Sequence, residues 1–515
     1  MDVEISLART PCITMQTRLY KMPLIGGIGM LGGMLPLLLG GDLRLFFFIM
    51  ATLCGISMVL LLYRMGLDRQ LLLMGLGVSM VINPNKFFLT TGVTRQHFGG
   101  IPAPFISLTD LVFFCMLIAM IVKSNKATWL NSFTLFEKLM IGFYVLAMAV
   151  SIPGSIEPPF GVYHLMFEFK CILLFVTVVG LGQERCLRET LSNMRLMFAG
   201  IAMGTLMEVV AVIVEYNGLI PPGTSFMGIT VGGFKESLAG MLTSRVGGTY
   251  RHPNYLAIPM AAMLVPFTAL ALTNKKAWRF LFACATLSAG FCLALTLSRG
   301  GWLAACVSIA VCTMVMLSTK EGIRFIRRNS MLVSIILVVG LVTGLSLSDL
   351  IRYKLFHSDP TNIDARIALN DMALDIIKDH PLQGVGLNNS VQASEKYGMM
   401  EQFTTSVGLP PVIHNIYLLL AAEIGIPGLL AFVLFGASVC IKGFLVARRF
   451  RYIPEIALPL MALAAGLLAY LLADLFGPGL RKQEIAYQYW WHLGCVLLYT
   501  NALLDQLGIT HDGEK

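Results

Sequence analysis

The chain has 515 residues, 56% hydrophobic and 13% charged, with a net charge of +9 and a mean hydropathy of +0.75. Soluble chains carry about 25% charged residues, so this composition excludes a soluble domain and indicates a membrane protein. The positive balance reads first as a topology signal, and nucleic acid is not an expected partner.

Up to Lys21 the chain is polar and basic, and no small-residue cleavage site follows the first apolar run, so no signal peptide is expected. Apolar runs follow near 23–39, 45–63, 71–82, 106–122, 136–152, 161–181, 196–214, 255–271, 278–297, 301–317, 331–347, 415–446, 456–476 and 487–504. A membrane span needs about 20 residues, so these runs predict an all-α polytopic membrane protein with about 14 transmembrane helices. The run at 71–82 is short enough to be re-entrant or tilted. The last run opens with Tyr487, Tyr489, Trp490 and Trp491, which suit an aromatic belt at the headgroups.

Basic residues fall in alternate loops: Arg9, Arg18 and Lys21; Arg64 and Arg69; Lys123 and Lys126; Arg185, Arg188 and Arg195; Lys275, Lys276 and Arg279; Lys320, Arg324, Arg327 and Arg328; Lys442, Arg448, Arg449 and Arg451. The positive-inside rule makes that side cytoplasmic and places both termini there. Three long loops then face outward, at 83–103, 216–254 and 348–414. The last contains a predicted amphipathic helix. Ser358, Asp359 and Pro360 start it, Ile363, Ile367, Leu374 and Ile377 form its apolar stripe, Asn370 interrupts, and His380-Pro381 stops it.

Most of the eleven cysteines lie in apolar runs and none in an outward loop, so neither a disulfide framework nor a cysteine–zinc site is expected outside. No phosphate-binding glycine loop and no paired-acid motif is present, so no cofactor and no metal site is expected. An ATP-driven pump and a metal-dependent sugar-nucleotide synthase both lose ground.

The outward side carries the candidate chemistry. In PVIHNIYLLLAAEIGIPGLLA, His414 stands where the long loop enters a span, followed by Asn415 and Tyr417. Its imidazole can take a proton from a sugar hydroxyl, contact a phosphate, or simply anchor the interface. In SRVGGTYRHPNYLA, Arg245, Arg251 and His252 precede a span; the alternative is a basic loop cap around a satisfied histidine. In LSRGGW, Arg299 either holds an anion or snorkels to the headgroups. Arg366, on the loop helix before HPLQGVGLNN, is by itself a solvated helix arginine. Together these arginines suit a lipid diphosphate, because the guanidinium fork binds phosphate bidentately and stays charged. They would stabilise the leaving diphosphate while His414 deprotonates the attacking hydroxyl.

Asp110, Glu168, Lys170, Glu208 and Asp474 are ionisable groups within or at the ends of spans, suited to function or to packing and pairing. Asp474 lies nearest the outward end. Glu423 follows His414 by nine residues, about 13 Å along a straight helix, and orients it only if the helix breaks near Gly425 and Pro427.

The four motifs in this order, from Ser244 to Leu434, resemble the bacterial O-antigen ligase and polymerase superfamily. The resemblance implies a metal-independent glycosyltransferase of the bacterial inner membrane that takes glycans from undecaprenyl diphosphate at the periplasmic face. It makes His414 catalytic, and Arg299 and Arg366 diphosphate contacts, with Arg245 or Arg251 adding to them and Asn415, Tyr417 and Asp474 in support. It also implies a glycan or lipid A–core acceptor and leaves room for a chain-length regulator among the partners. The expected organisation is a cytoplasmic tail at 1–22, a transmembrane bundle at 23–243, a catalytic region at 244–434, and terminal helices with a tail at 435–515. The number of spans and the extra outward segment at 83–100 favour repeat-unit polymerisation of O-antigen or exopolysaccharide over ligation to lipid A–core. A transporter or flippase of lipid-linked sugars is the rival class, but it calls for charges deep in several spans and access from both faces.

Overall fold

The computed structural model describes residues 68–83, 85–87, 100–123, 132–181, 187–219, 224–226, 229–231, 236–238, 241–243, 245–356, 360–399 and 412–508. In chain order its helices begin with α1 (Asp68–Val81), α2 (Leu108–Lys123), α3 (Leu135–Ser151), α4 (Pro158–Gly180) and α5 (Leu187–Tyr216). There follow α6 (Pro253–Thr273), α7 (Lys276–Leu295), α8 (Arg299–Leu317), α9 (Lys320–Arg328), α10 (Ser330–Ser346) and α11 (Ser348–Phe356). The last are α12 (Pro360–Asp379), α13 (Ser390–Ala393), α14 (Ile416–Arg449), α15 (Pro454–Ala473) and α16 (Gln483–Gln506). Three antiparallel two-stranded ladders of three-residue strands decorate the loops. These are β1 (Asn85–Phe87) with β2 (Phe105–Ser107), β3 (Thr224–Phe226) with β4 (Ile229–Val231), and β5 (Glu236–Leu238) with β6 (Met241–Thr243).

The protein is a helical, multi-pass membrane protein. Among the described residues α4 to α8, α14 and α15 are long and apolar enough to cross a bilayer, and an eighth span results if α9 and α10, bent by 72°, count as one. The expected spans at 23–39 and 45–63 lie outside the described residues. At 14, 16 and 17 residues, α1, α2 and α3 fall short of a full crossing. The 24-residue α16 carries Gln483, Glu484, Gln488 and His492 in its first half, which keeps it out of the apolar set.

Helix starts follow local chemistry. Thr134 and Glu137 form a reciprocal capping box at α3, with Glu137 N–H donating to Thr134 Oγ1 at 3.2 Å and Thr134 N–H to Glu137 Oε2 at 2.8 Å. Proline occupies the first turn of α4, α6 and α15, where a missing N–H costs nothing.

The core centres on α16, and here the sequence expectation is corrected. Tyr487, Tyr489, Trp490 and Trp491 are buried inside the bundle rather than set at the headgroups. Three of the four find internal partners for their polar atoms: Tyr487 Oη donates to Asp110 at 2.5 Å, Trp490 Nε1 to Glu168 at 3.1 Å, and Trp491 Nε1 contacts Met197 Sδ at 3.4 Å. Asp110 also pairs with Lys170 at 2.7 Å. Aromatic rings with satisfied polar tips lose nothing by burial, so the helix sits in the core. In contrast, α10 is apolar all round and has no buried residue, a surface suited to hydrocarbon.

Among the described residues, two of the basic loops meet at one end of the bundle. Arg279 Nη2 lies 3.1 Å from Asn329 Oδ1, and Arg328 pairs with Glu455 at 2.5 Å. The opposite end gathers residues 245–252, 296–299, 380–390, 412–416 and 474–482. There α12 starts and stops where the sequence predicts, but its buried face is Leu369, Met372, Ala373 and Ile376. Of the expected stripe, Ile367 and Leu374 are exposed and Ile377 packs partly buried against the core, so the stripe lies beside the buried face and not on it. The choice of face follows from docking against α14 rather than from the pattern of the helix itself.

Candidate functional site

The site is built on a half-helix. Within α14 the backbone breaks at Gly425, with φ 75° and ψ 170°. Such a conformation favours glycine, and a Cβ there would stand 2.2 Å from Leu382 O. Residues 416–424 therefore form a short helix entering from the loop, and the break is closed by the loop that follows α12. Val385 N–H donates to Ala422 O at 2.9 Å, Gly386 N–H to Glu423 O at 3.0 Å, and Ile426 N–H to Pro381 O at 2.8 Å. The HPLQGVGLNN motif thus fills the gap in the helix.

His414 and Asn415 stand at the open start of the half-helix. Asn415 Oδ1 caps it by accepting from Tyr417 N–H at 2.9 Å and Leu418 N–H at 3.2 Å. Ile416 N–H donates to Asp474 O at 3.1 Å, and Tyr417 Oη to Leu471 O at 2.7 Å, so the end of α15 holds this turn. At the far end Glu423, buried, accepts from Asn388 N–H and Ser390 Oγ, both at 2.7 Å, and pairs with Arg481. Arg481 also reaches His164 Nε2 at 3.0 Å. Glu423 does not orient His414; it ties the half-helix to the loop after α12 and to the segment before α16.

The SRVGGTYRHPN turn is held by two carboxylates of α5. Glu215 Oε2 accepts from Gly247 N–H at 2.9 Å and Gly248 N–H at 2.7 Å, and Glu208 accepts from Thr249 N–H and Oγ1 at 2.8 and 2.7 Å. These bonds show what Glu208 does: it anchors a turn. Arg245 is buried, its Nε donating to Thr296 O at 2.9 Å and its Nη2 to Asn254 Oδ1 at 2.9 Å. It clamps this turn to the LSRGG turn, whereas Arg251, in a left-handed conformation at φ 64°, is exposed. His252 caps α6 by accepting from Asn254 N–H on Nδ1 at 3.2 Å. Arg299 is the first residue of α8 and is exposed. Gly300 lies against Phe476, where a Cβ would stand 2.8 Å from the ring, so α8 starts close under the end of α15.

These pieces form one electrostatic cluster. Burial and the nearby charge of Arg366 hold His414 down to about 4, against the opposing pull of a hydrogen bond to the Val412 backbone. His252 is lowered to about 3 by burial, then by Arg245, His414, Lys482 and Arg366. Both imidazoles are therefore neutral at pH 7. Burial and Arg299 lower the Arg366 guanidinium, which remains charged. Asp474 is pushed well above the usual carboxylate range by burial, although Gly479 N–H donates to its Oδ1 at 2.7 Å.

His414, His252, Arg366, Arg299 and Arg245 of the sequence motifs thus act on one another, while Asn415, Tyr417 and Asp474 hold the start of the half-helix against the end of α15. Lys482, Arg481 and the capping role of Glu423 are not legible as site features in the sequence. Arg481-Lys482 reads there as an ordinary basic pair before a span. Among the described residues no group of three or more histidine, cysteine or acidic side chains stands close enough to hold a metal ion.

The site thus sets a neutral histidine near guanidiniums at one end of a multi-pass helical membrane bundle. Residues 282–433 match the family model described as O-antigen ligase, so the chain carries an O-antigen ligase family domain in that stretch. The matched segment holds Arg299, Arg366 and His414; the turn at 245–252 and the segment 474–482 lie outside it. No curated protein matches the chain.

Proposed function

We propose that this protein is a glycosyltransferase that moves a glycan from undecaprenyl diphosphate to a sugar hydroxyl, polymerising repeat units of O-antigen or exopolysaccharide. The observation that carries the reading is the grouping of neutral His414 with Arg366 and Arg299 inside the O-antigen ligase domain. The acceptor oxygen attacks the anomeric carbon as His414 takes its proton. The bond from that carbon to the diphosphate oxygen breaks, and undecaprenyl diphosphate leaves with the charge it gains. Arg299 and Arg366 stabilise that charge directly, the work a divalent metal does in other transferases. Asn415 keeps the half-helix start rigid, and Asp474 and Tyr417 hold it against the end of α15. Arg245 acts as a clamp in this reading, and Arg251 is the arginine of its turn that faces substrate.

Burial and Arg366 together hold His414 at about 4. A bound diphosphate offsets the arginines and raises it towards the range in which a general base is efficient. The meeting of two basic loops at the far end supports a cytoplasmic placement of that end and a periplasmic site, in the bacterial inner membrane. Residues 244–434 then form the catalytic region, with 1–243 and 435–515 as flanking segments. Ligation to lipid A–core is the second reading, because the same family domain serves it equally.

The test is His414→Ala in a host lacking its own copy, with the glycan-bearing lipid and repeat number read by gel and mass spectrometry. Single repeats stranded on undecaprenyl diphosphate are expected. Long chains stranded there and missing from lipid A–core would identify a ligase, and unchanged chains in a well-expressed variant would remove His414 from catalysis. Arg299→Lys should also impair transfer, since a point charge does not replace the bidentate fork.

A further inference from the structure

Besides the buried clamps Arg245 and Arg481, the site holds four cations in two pairs, each beside a histidine. Arg299 and Arg366 act on one another, and Arg366 acts on His414. On the other side Lys482 Nζ stands 5.0 Å over the ring of Tyr255, and that ring lies 5.1 Å from His252. Arg251 directly precedes His252, is exposed, and acts on Lys482. His252 senses both sides, Lys482 and Arg366 alike.

The second pair is partly compensated by one nearby carboxylate. Glu484 is the carboxylate that acts on Lys482, whereas burial pushes Asp474 well above the usual carboxylate range. Burial is what chiefly lowers the Lys482 amine, with Glu484 opposing it and Arg251 adding to it. Collecting like charges in a partly dry place is costly unless an anion settles among them. An arginine and a lysine beside an aromatic ring suit a phosphate approached from the open end.

We infer that Arg251 and Lys482 form a second anion subsite, separate from Arg299 and Arg366, that holds a phosphate of the acceptor. This rests on the transferase reading and deepens it: donor diphosphate lies on one side of the histidines and a phosphate-bearing acceptor on the other. The acceptor phosphate comes either from a lipid diphosphate carrying a repeat unit or from a phosphorylated core sugar. The two share one chemistry and mark the polymerase and the ligase respectively.

The test uses full-length protein in lipid nanodiscs with saturating lipid-diphosphate donor and three synthetic acceptors bearing the same terminal sugar. One is linked to a polyprenyl diphosphate, one to a phosphorylated core sugar, and one to a neutral alkyl chain. Wild type should prefer a phosphate-bearing acceptor, and which of the two identifies the source. In Lys482→Met that preference, as the ratio of kcat/KM over the neutral acceptor, should fall about tenfold or more, the loss of a charge-assisted contact. Lys482→Arg should restore most of it, and Arg251→Gln, at an exposed position, should lower it without threatening the fold. A preference that survives both Lys482→Met and Arg251→Gln overturns the subsite. So does an increase confined to the donor KM, which would assign all four cations to one diphosphate. No transfer to any acceptor by wild type would instead refute the transferase reading itself.

Discussion

Replacing Glu423 with glutamine removes one charge from a knot shut off from water. Glu423 and Arg481 are 2% and 3% exposed. The carboxylate serves Asn388 N–H, Ser390 Oγ and the Arg481 guanidinium together, and an amide cannot serve all three. Removing one partner of a buried pair costs about 3–5 kcal/mol, because the other is left as an uncompensated charge. The hydrogen bonds overlap with that figure, so about 4 kcal/mol is expected in all. In a chain of this size that lowers the melting temperature by on the order of 5 °C. The melt can be followed in detergent with a thiol-reactive dye, since Cys171, Cys292, Cys440 and Cys495 are free and buried. The double variant Glu423→Gln, Arg481→Met no longer strands a charge and should melt above the single one. A single variant melting within about one degree of wild type would refute the reasoning, as would a double variant that melts below it.

Three further outcomes are expected. Since His414 must be neutral to accept a proton, kcat/KM should fall as pH drops through about 4, and the acid limb of kcat should lie higher because bound diphosphate raises the imidazole; pH–rate profiles read both. Gly425→Ala places a Cβ against Leu382 O in a left-handed backbone and should cost roughly 1–3 kcal/mol, visible in the same thiol melt. Arg245→Lys should lose the bridge to Thr296 and Asn254, lowering stability by roughly 1–3 kcal/mol and leaving donor KM nearly unmoved, whereas Arg299→Lys should raise donor KM.

Local chemistry was legible where it is local. Pro360 and His380-Pro381 set the ends of α12, and the four motifs place His414, Arg366 and Arg299 at one end of the bundle. The same motifs do not separate Arg245 from Arg251, because the distinction depends on carbonyls of Thr296 and Leu297 some fifty residues away. The rings at 487–491 look interfacial by composition; only Asp110, Glu168 and Met197 on other helices make them core residues. Lys482 escaped notice for a similar reason. A basic residue before a span looks like a topology marker until Tyr255 and His252 arrive beside it. Glu423 shows the opposite case: the sequence marks the break at Gly425, but the break serves to admit a loop rather than to swing Glu423 towards His414.

That admitted loop makes Arg366 and His414 parts of one rigid piece. The chain leaving α12 is laced into the interrupted helix by three backbone hydrogen bonds, and the start of that helix is pinned to the end of α15. Helices exposed to lipid can tilt as a bilayer thins or thickens, at a modest cost per ångström of mismatch. The spacing of His414 and Arg366 is set by the lacing and not by that tilt. Turnover measured in nanodiscs of short and long acyl chains should therefore vary little, so that lipid composition governs how substrates arrive and leaves the geometry of their meeting unchanged.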